Sequence, residues 1–243
     1  AYEQIVYVKN PIDTKYETMN FFVPEAYFKG ESVNGYNNYD APIFFPNQVG
    51  GYMPAEAGSP GTSRDGVNPN AIFVALSKGY VVASPGARGR VTKNANGLYT
   101  GKAPAAIVDL KAAVRYLHYN DKVMPGSANR IVSNGTSAGG ALSSLLGASG
   151  NNKDYDKYLK EIGAANASDA VLVVSAYCPI TNLENADMAY EWLFNGINEY
   201  KSLKITQSTD FKVERTYVTG SMTEDQIKAS NELKAMFPKY LNS

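Results

Sequence analysis

Apolar positions recur along the chain with two periods. Ile107, Leu110, Val114 and Leu117 follow the i, i+3, i+7, i+10 spacing of one helix face, which predicts a helix over Pro104 to Tyr119. Pro69 to Lys78 (PNAIFVALSK) predicts a second helix, with proline in its first turn and Gly79 just past its end. Ala138 to Ala148 is small and apolar and predicts a third, closely packed one. Thr223 and Gln226 have the spacing of a capping box, ahead of an amphipathic helix running through Phe237. Between these lie short apolar runs bounded by turn residues, which predict strands: Met19 to Val23, Pro42 to Phe45, Tyr80 to Ser84, Arg130 to Asn134 and Ala170 to Ala176. The last, AVLVVSA, reads as buried on both faces. Strands alternating with helices imply a mostly parallel sheet covered on both sides, with ligand sites beyond the carboxyl ends of its strands.

Composition narrows the function classes. The 243 residues suffice for one large domain or two small ones. Lys plus Arg and Asp plus Glu are 23 each, for a net charge of zero, and this argues against nucleic acid as the main partner. No apolar run approaches the roughly 20 residues that span a bilayer, so no membrane partner is expected. A single cysteine, Cys178, excludes an internal disulfide and leaves the compartment open; it reads as a small buried residue. The single histidine, His118, excludes any site that needs two histidine ligands. Nothing in the sequence requires a metal or a cofactor.

One motif carries chemistry. Gly135-Thr136-Ser137-Ala138-Gly139 fits G-x-S-x-G, begins where the strand RIVSN ends and opens the helix AGGALSSLLGA. A sharp strand-to-helix turn projects the serine hydroxyl above the sheet, and the glycines are needed where side chains would collide. The helix N-terminus then offers free N–H groups and a positive dipole end to a developing oxyanion. The competing reading is an ordinary serine in a glycine-rich turn. After the strand PIFF comes Pro46-Asn47-Gln48-Val49-Gly50-Gly51-Tyr52. A Gly-Gly-aromatic turn after an early strand is where an α/β-hydrolase places its other oxyanion donors, although Gln48 stands where an HGGG-type motif has histidine. The alternative is a loop that two glycines make flexible. Gly86-Ala87-Arg88-Gly89 is not a dinucleotide fingerprint. Arg88 and Arg90 read as braces for a loop carboxylate, or as partners of an anionic group.

Together ASPGARGR (Ala83 to Arg90), GKAPAAIVDLKAAVRYL (Gly101 to Leu117) and NRIVSNGTSAGGALSSLLGASG (Asn129 to Gly150) resemble the bacterial tannase and feruloyl-esterase-like branch of the α/β-hydrolases. APIFFPNQVGGYMP (Ala41 to Pro54) and CPITNLENADMAYEWLFNG (Cys178 to Gly196) are similar to the same branch. The resemblance implies an α/β-hydrolase-type three-layer sandwich with a mostly parallel sheet, incomplete within this chain. It implies a serine esterase acting on small-molecule esters of galloyl or other phenolic acids. Ser137 is then the nucleophile, and the N–H of Ala138, with that of Gly50 or Gly51, holds the oxyanion.

The resemblance also implies what is missing. The family's triad runs Ser, Asp, His, with acid and base far downstream of the elbow. Here His118 precedes the serine, at the far end of a helix antiparallel to the strands. Five or six residues of strand at about 3.3 Å each put it some 15–20 Å from the hydroxyl, whereas a general base must lie within about 3 Å. His118 therefore reads as a packing or surface residue. Asp187, after the strand AVLVVSA, completes nothing without a histidine, and Lys102 as a Ser-Lys base is the weaker substitute. The chain is expected to be the N-terminal portion of a larger enzyme, with a C-terminal fragment or second chain completing the fold and supplying lid, acid and base. A non-catalytic α/β-hydrolase-like domain that binds a ligand or partner is the competing reading.

Overall fold

Alternation of side chains along the strands sorts the core into two faces. The computed structural model describes residues 1–63, 66–207 and 213–243. Clustering divides the chain into two compact units, Ala1–Thr181 and Asn182–Ser243. In the first unit, six strands form one sheet: β1 (Tyr2–Val6), β2 (Thr18–Phe22), β3 (Pro42–Pro46), β4 (Val81–Pro85), β5 (Ser127–Thr136) and β6 (Val173–Tyr177). Their order across the sheet is β1-β2-β4-β3-β5-β6. β2 is antiparallel to both its neighbours, and β4, β3, β5 and β6 run parallel.

The helices α1 (Glu25–Phe28), α2 (Ala71–Ser77), α3 (Ala105–Asn120), α4 (Ala138–Ala148) and α5 (Asp156–Glu161) complete this unit. Met19, Phe21, Ile43, Phe45, Val81, Ala83 and Ile131 share one cluster with Leu110, Val114 and Leu117 of α3 and with Leu142 and Leu146 of α4. Phe22 and Val82 belong to the opposite face, with Ile72 and Ala75 of α2, and Phe44 packs against them. Neighbouring residues of one strand thus serve different helices, as a period of two requires. Each large apolar side chain so buried contributes about 1.5–3 kcal/mol. The result is the three-layer α/β-hydrolase-type arrangement, a mostly parallel sheet between two helix layers.

The predicted elements form with small shifts. α2 starts after Asn70, whose side chain accepts from the Phe73 N–H as N-cap, and Gly79 beyond its end has φ 87°. β5 extends past both ends of the predicted strand, because its ladder with β3 starts at Ser127, opposite Pro42, and its ladder with β6 continues to Thr136, opposite Tyr177. The expectation for Ala170–Ala176 is corrected. Leu172 is 64% exposed and Val173 46%. β6 is the outermost strand in the sheet, paired with β5 alone. Composition marks such a strand as apolar but does not say how many neighbours it has.

The second unit is built from α6 (Ala186–Phe194), a hairpin of β7 (Glu199–Gln207) with β8 (Val213–Ser221), and α7 (Glu224–Leu241). The capping box forms: the Gln226 N–H donates to the Thr223 hydroxyl at 3.3 Å, and the Thr223 N–H to the Gln226 side chain at 2.9 Å. α7 runs on through Pro238, past its predicted end. It packs on α6 through Trp192 and Phe237, ring centroids 5.4 Å apart, and the Ser230 hydroxyl donates to Glu191 at 2.5 Å. The sequence reading anticipates α7 but not α6 or the hairpin. Among the described residues, no helix is long and apolar enough to cross a membrane.

Candidate active site

β5 delivers the chain to a bend that few side-chain-bearing residues adopt. Ser137 has φ 58° and ψ −120°, where an L-residue stays only if its surroundings compel it. The compulsion comes from the exit of β6. The Ser137 N–H donates to the Tyr177 carbonyl at 2.9 Å, and the Ile180 N–H donates to the Ser137 carbonyl at 3.2 Å. α4 starts at the next residue, with the Ala141 N–H donating to the Ser137 carbonyl at 3.0 Å. Serine ahead of a helix ordinarily spends its hydroxyl as a cap, but the Ser137 side chain makes no capping hydrogen bond. Ala138 is buried, and its N–H lies in the first turn, where amides lack an intrahelical acceptor.

The surrounding glycines are sterically required. A Cβ on Gly135 would stand 2.2 Å from the Gly139 carbonyl oxygen; on Gly139, 2.7 Å from that of Val49; on Gly140, 2.7 Å from that of Tyr177. Strand, helix and glycine turn therefore meet with no room for a methyl group.

Asn47 joins these parts. It is buried, and its side-chain amide donates to the carbonyls of Asn134 at 3.1 Å and Gly139 at 3.0 Å and to the Ser143 hydroxyl at 3.0 Å. Its side-chain oxygen accepts from the Val49 N–H at 3.3 Å. The turn that follows is closed by the Met53 N–H donating to the Gly50 carbonyl at 3.0 Å. Gly50 and Gly51 are exposed, and neither N–H donates to an acceptor among the described residues. From the end of this turn, the Tyr52 hydroxyl donates to the Ile180 carbonyl at 3.0 Å. Sequence reasoning misses both Asn47 and Tyr52. An asparagine and a tyrosine in a turn carry no periodic signal, and only the three-dimensional meeting of β3, β5 and β6 gives them roles.

Of the other residues singled out from sequence, Arg90 meets the glycine turn, its N–H donating to the Tyr52 carbonyl at 2.8 Å. Arg88 is buried and forks onto Asp109 of α3, with Nη2 to Oδ1 at 2.7 Å and Nε to Oδ2 at 3.0 Å; Glu17 Oε1 stands 3.7 Å from its Nε. It braces carboxylates, as one reading held, but the first of them is on a helix and not a loop. Burial pushes the Asp109 carboxyl up, against the pull of Arg88. His118 Nε2 lies 3.0 Å from the Ala170 carbonyl oxygen. That carbonyl precedes β6 while Ser137 meets its far end, and five strand residues span about 16 Å. Lys102 Nζ sits over the Tyr99 ring, 4.8 Å from its centroid. Asp187 opens α6 in the second unit. Cys178 corrects an expectation: it is exposed, with φ 43°, immediately past the end of the outermost strand β6. Among the described residues, no cluster of three or more His, Cys, Asp or Glu is placed to hold a metal ion.

Comparison with known proteins adds to this geometry. Residues 58–221 match the BD-FAE family. The fold superimposes on Fusobacterium nucleatum tannase with a TM-score of 0.92 and 60% sequence identity, covering 99% of this chain and 52% of that one. Tannase from Lactobacillus plantarum gives 0.90 and 47%, covering 99% and 51%. A tannin acyl hydrolase in complex with ethyl gallate gives 0.86 and 49%, covering 99% and 50%. The chain thus spans about half the length of these solved relatives. No curated protein sequence matches it.

Proposed function

Since this chain belongs to the BD-FAE family of α/β-hydrolase-like proteins, we propose that it carries the nucleophile of a serine ester hydrolase acting on small-molecule esters of galloyl or other phenolic acids. The observation that carries the reading is the backbone of Ser137, held at φ 58° and ψ −120° by β6 and ringed by glycines. A serine in this strained turn, with its hydroxyl uncommitted to the helix, serves attack better than packing.

In this reading the Ser137 hydroxyl adds to the ester carbonyl. The N–H of Ala138, with that of Gly50 or Gly51, takes the oxyanion, charge that forms only in the transition state. The alcohol leaves, and water releases the acid from the acyl-enzyme. Proton transfer requires a base, and His118 is engaged at Ala170. The aspartate and histidine are therefore supplied from outside this chain, by a segment or second chain that completes the fold. Without them the serine keeps its proton and is a poor nucleophile.

The test is a fluorophosphonate probe followed by peptide mass analysis. The intact native protein labels at Ser137 and hydrolyses a gallate ester, Ser137→Ala does neither, and the 243-residue chain alone labels slowly. Native protein that folds, binds phenolic esters and never labels would support the non-catalytic binding domain instead.

A further inference from the structure

The first two residues of the Gly50–Met53 turn stand in open space. A Cβ on Gly50 would find nothing within 4 Å, and one on Gly51 only the Met53 side chain at 4.0 Å. One end is secured by Asn47. At the other, Gly51 has φ 57° and Tyr52 φ 55°. Left-handed geometry at both central positions of a turn is usually given to glycine, asparagine or aspartate. A tyrosine there is an exception that its contacts must maintain: its carbonyl accepts from the Arg90 N–H at 2.8 Å, and its hydroxyl donates to the Ile180 carbonyl at 3.0 Å. Ile180 is also the residue whose N–H donates to the Ser137 carbonyl. One residue thus separates the tyrosine that ends the glycine turn from the serine.

We propose that Tyr52 is a positioning residue: its hydroxyl latches the Gly50–Gly51 turn onto the β6 exit that brackets Ser137, and so fixes the oxyanion donors relative to the nucleophile. The inference rests on the serine-hydrolase reading above. Tyr52 touches neither the hydroxyl of Ser137 nor, in this reading, the scissile carbonyl. Its loss slackens donors that act only in the transition state, so it lowers kcat and leaves KM nearly unchanged.

The experiment uses the intact native protein with ethyl gallate as substrate, comparing wild type with Tyr52→Phe and Tyr52→Asn. Phenylalanine keeps the ring and removes the latch. Asparagine accepts the left-handed backbone and also removes the latch. Both are expected to lose roughly ten-fold in kcat, less than the roughly 10²–10³ for deleting an oxyanion donor outright. KM stays within about two-fold, and the Tyr52→Phe melting temperature is unchanged. Wild-type kcat in Tyr52→Phe, with Ser137 still labelled by fluorophosphonate in the wild type, overturns the latch alone. A raised KM at constant kcat, or a loss of kcat that tracks a lowered melting temperature, overturns it too. Failure of the wild type to label overturns the serine reading itself.

Discussion

The side-chain amide of Asn47 donates to the Gly139 carbonyl at 3.0 Å, tying the end of β3 to the first turn of the helix behind Ser137. The same amide reaches Asn134 and Ser143, so one buried side chain holds β3, β5 and α4 together. Asn47→Leu would fill a similar volume but leave these buried acceptors short of a donor. The expected loss is about 2 kcal/mol, read as a lower urea midpoint at constant slope. A midpoint equal to wild type would mean that the packing of small residues alone holds the junction.

The glycines divide into two kinds, and substitution separates them. A Cβ on Gly135 would press to 2.2 Å from the Gly139 oxygen and 2.6 Å from the Asn47 side-chain nitrogen, both fixed by the bonds just described. Gly135→Ala is therefore expected to cost about 3 kcal/mol, at the upper end of the overpacking range. Gly50 has open space and no positive φ, so Gly50→Ala should stay within about 0.5 kcal/mol of wild type. Thermal unfolding of the pair decides the matter, and equal effects would contradict the close approach at the elbow.

A buried cation fixes the far end of α4. Lys111 Nζ donates to the Ser149 carbonyl at 2.5 Å and to Asp169 at 2.8 Å, and Asp169 also accepts from Arg115 Nε at 2.8 Å and the Asn151 N–H at 2.7 Å. These hydrogen bonds and charges hold the Asp169 carboxyl below its ordinary value even though burial raises it. Lys111→Met keeps the stem but strands a buried carboxylate on its remaining partners, at an expected cost of about 3 kcal/mol. Chemical denaturation at pH 7 measures it. A loss under about 1 kcal/mol would mean that Arg115 alone balances the charge.

These interactions show what the sequence made legible. The elbow was readable because G-x-S-x-G followed a strand and opened a helix, and each of its glycines has a local steric reason. The helix face of Ile107, Leu110, Val114 and Leu117 was readable from its spacing, and all four are buried. Lys111 and Asp109 on that same helix were not, since a charged residue is presumed solvated until its partners from distant segments are known. β6 was misread as buried because a continuous apolar run does not tell how many neighbours a strand has, and among the described residues β6 pairs with β5 alone. Asn47 and Tyr52 act through contacts with residues about ninety or more positions away, beyond the reach of any local pattern.

Glu17 should make stability fall as pH rises. It is fully buried; its Oε2 accepts from the N–H groups of Ile12 and Asp13 at 2.6 Å each, while its Oε1 has no hydrogen-bond partner. Arg88 is committed to Asp109. Burial first, and then the nearby Asp109 charge, raise the Glu17 carboxyl to about 7 from its ordinary 4.5, against the two backbone hydrogen bonds and Arg88. Between these values the unfolded chain releases the proton and the native state keeps it. The native state then binds more protons, so unfolding becomes easier as pH climbs through this window, and above about 7 the full penalty of a buried charge remains. A rise of that size is worth about 3 kcal/mol. Glu17→Gln, neutral at every pH, removes this dependence. Urea midpoints at pH 5 and pH 8 should show the wild type losing about 2.5 kcal/mol more than the variant across that interval. Parallel losses in the two proteins would place the titrating proton on another group.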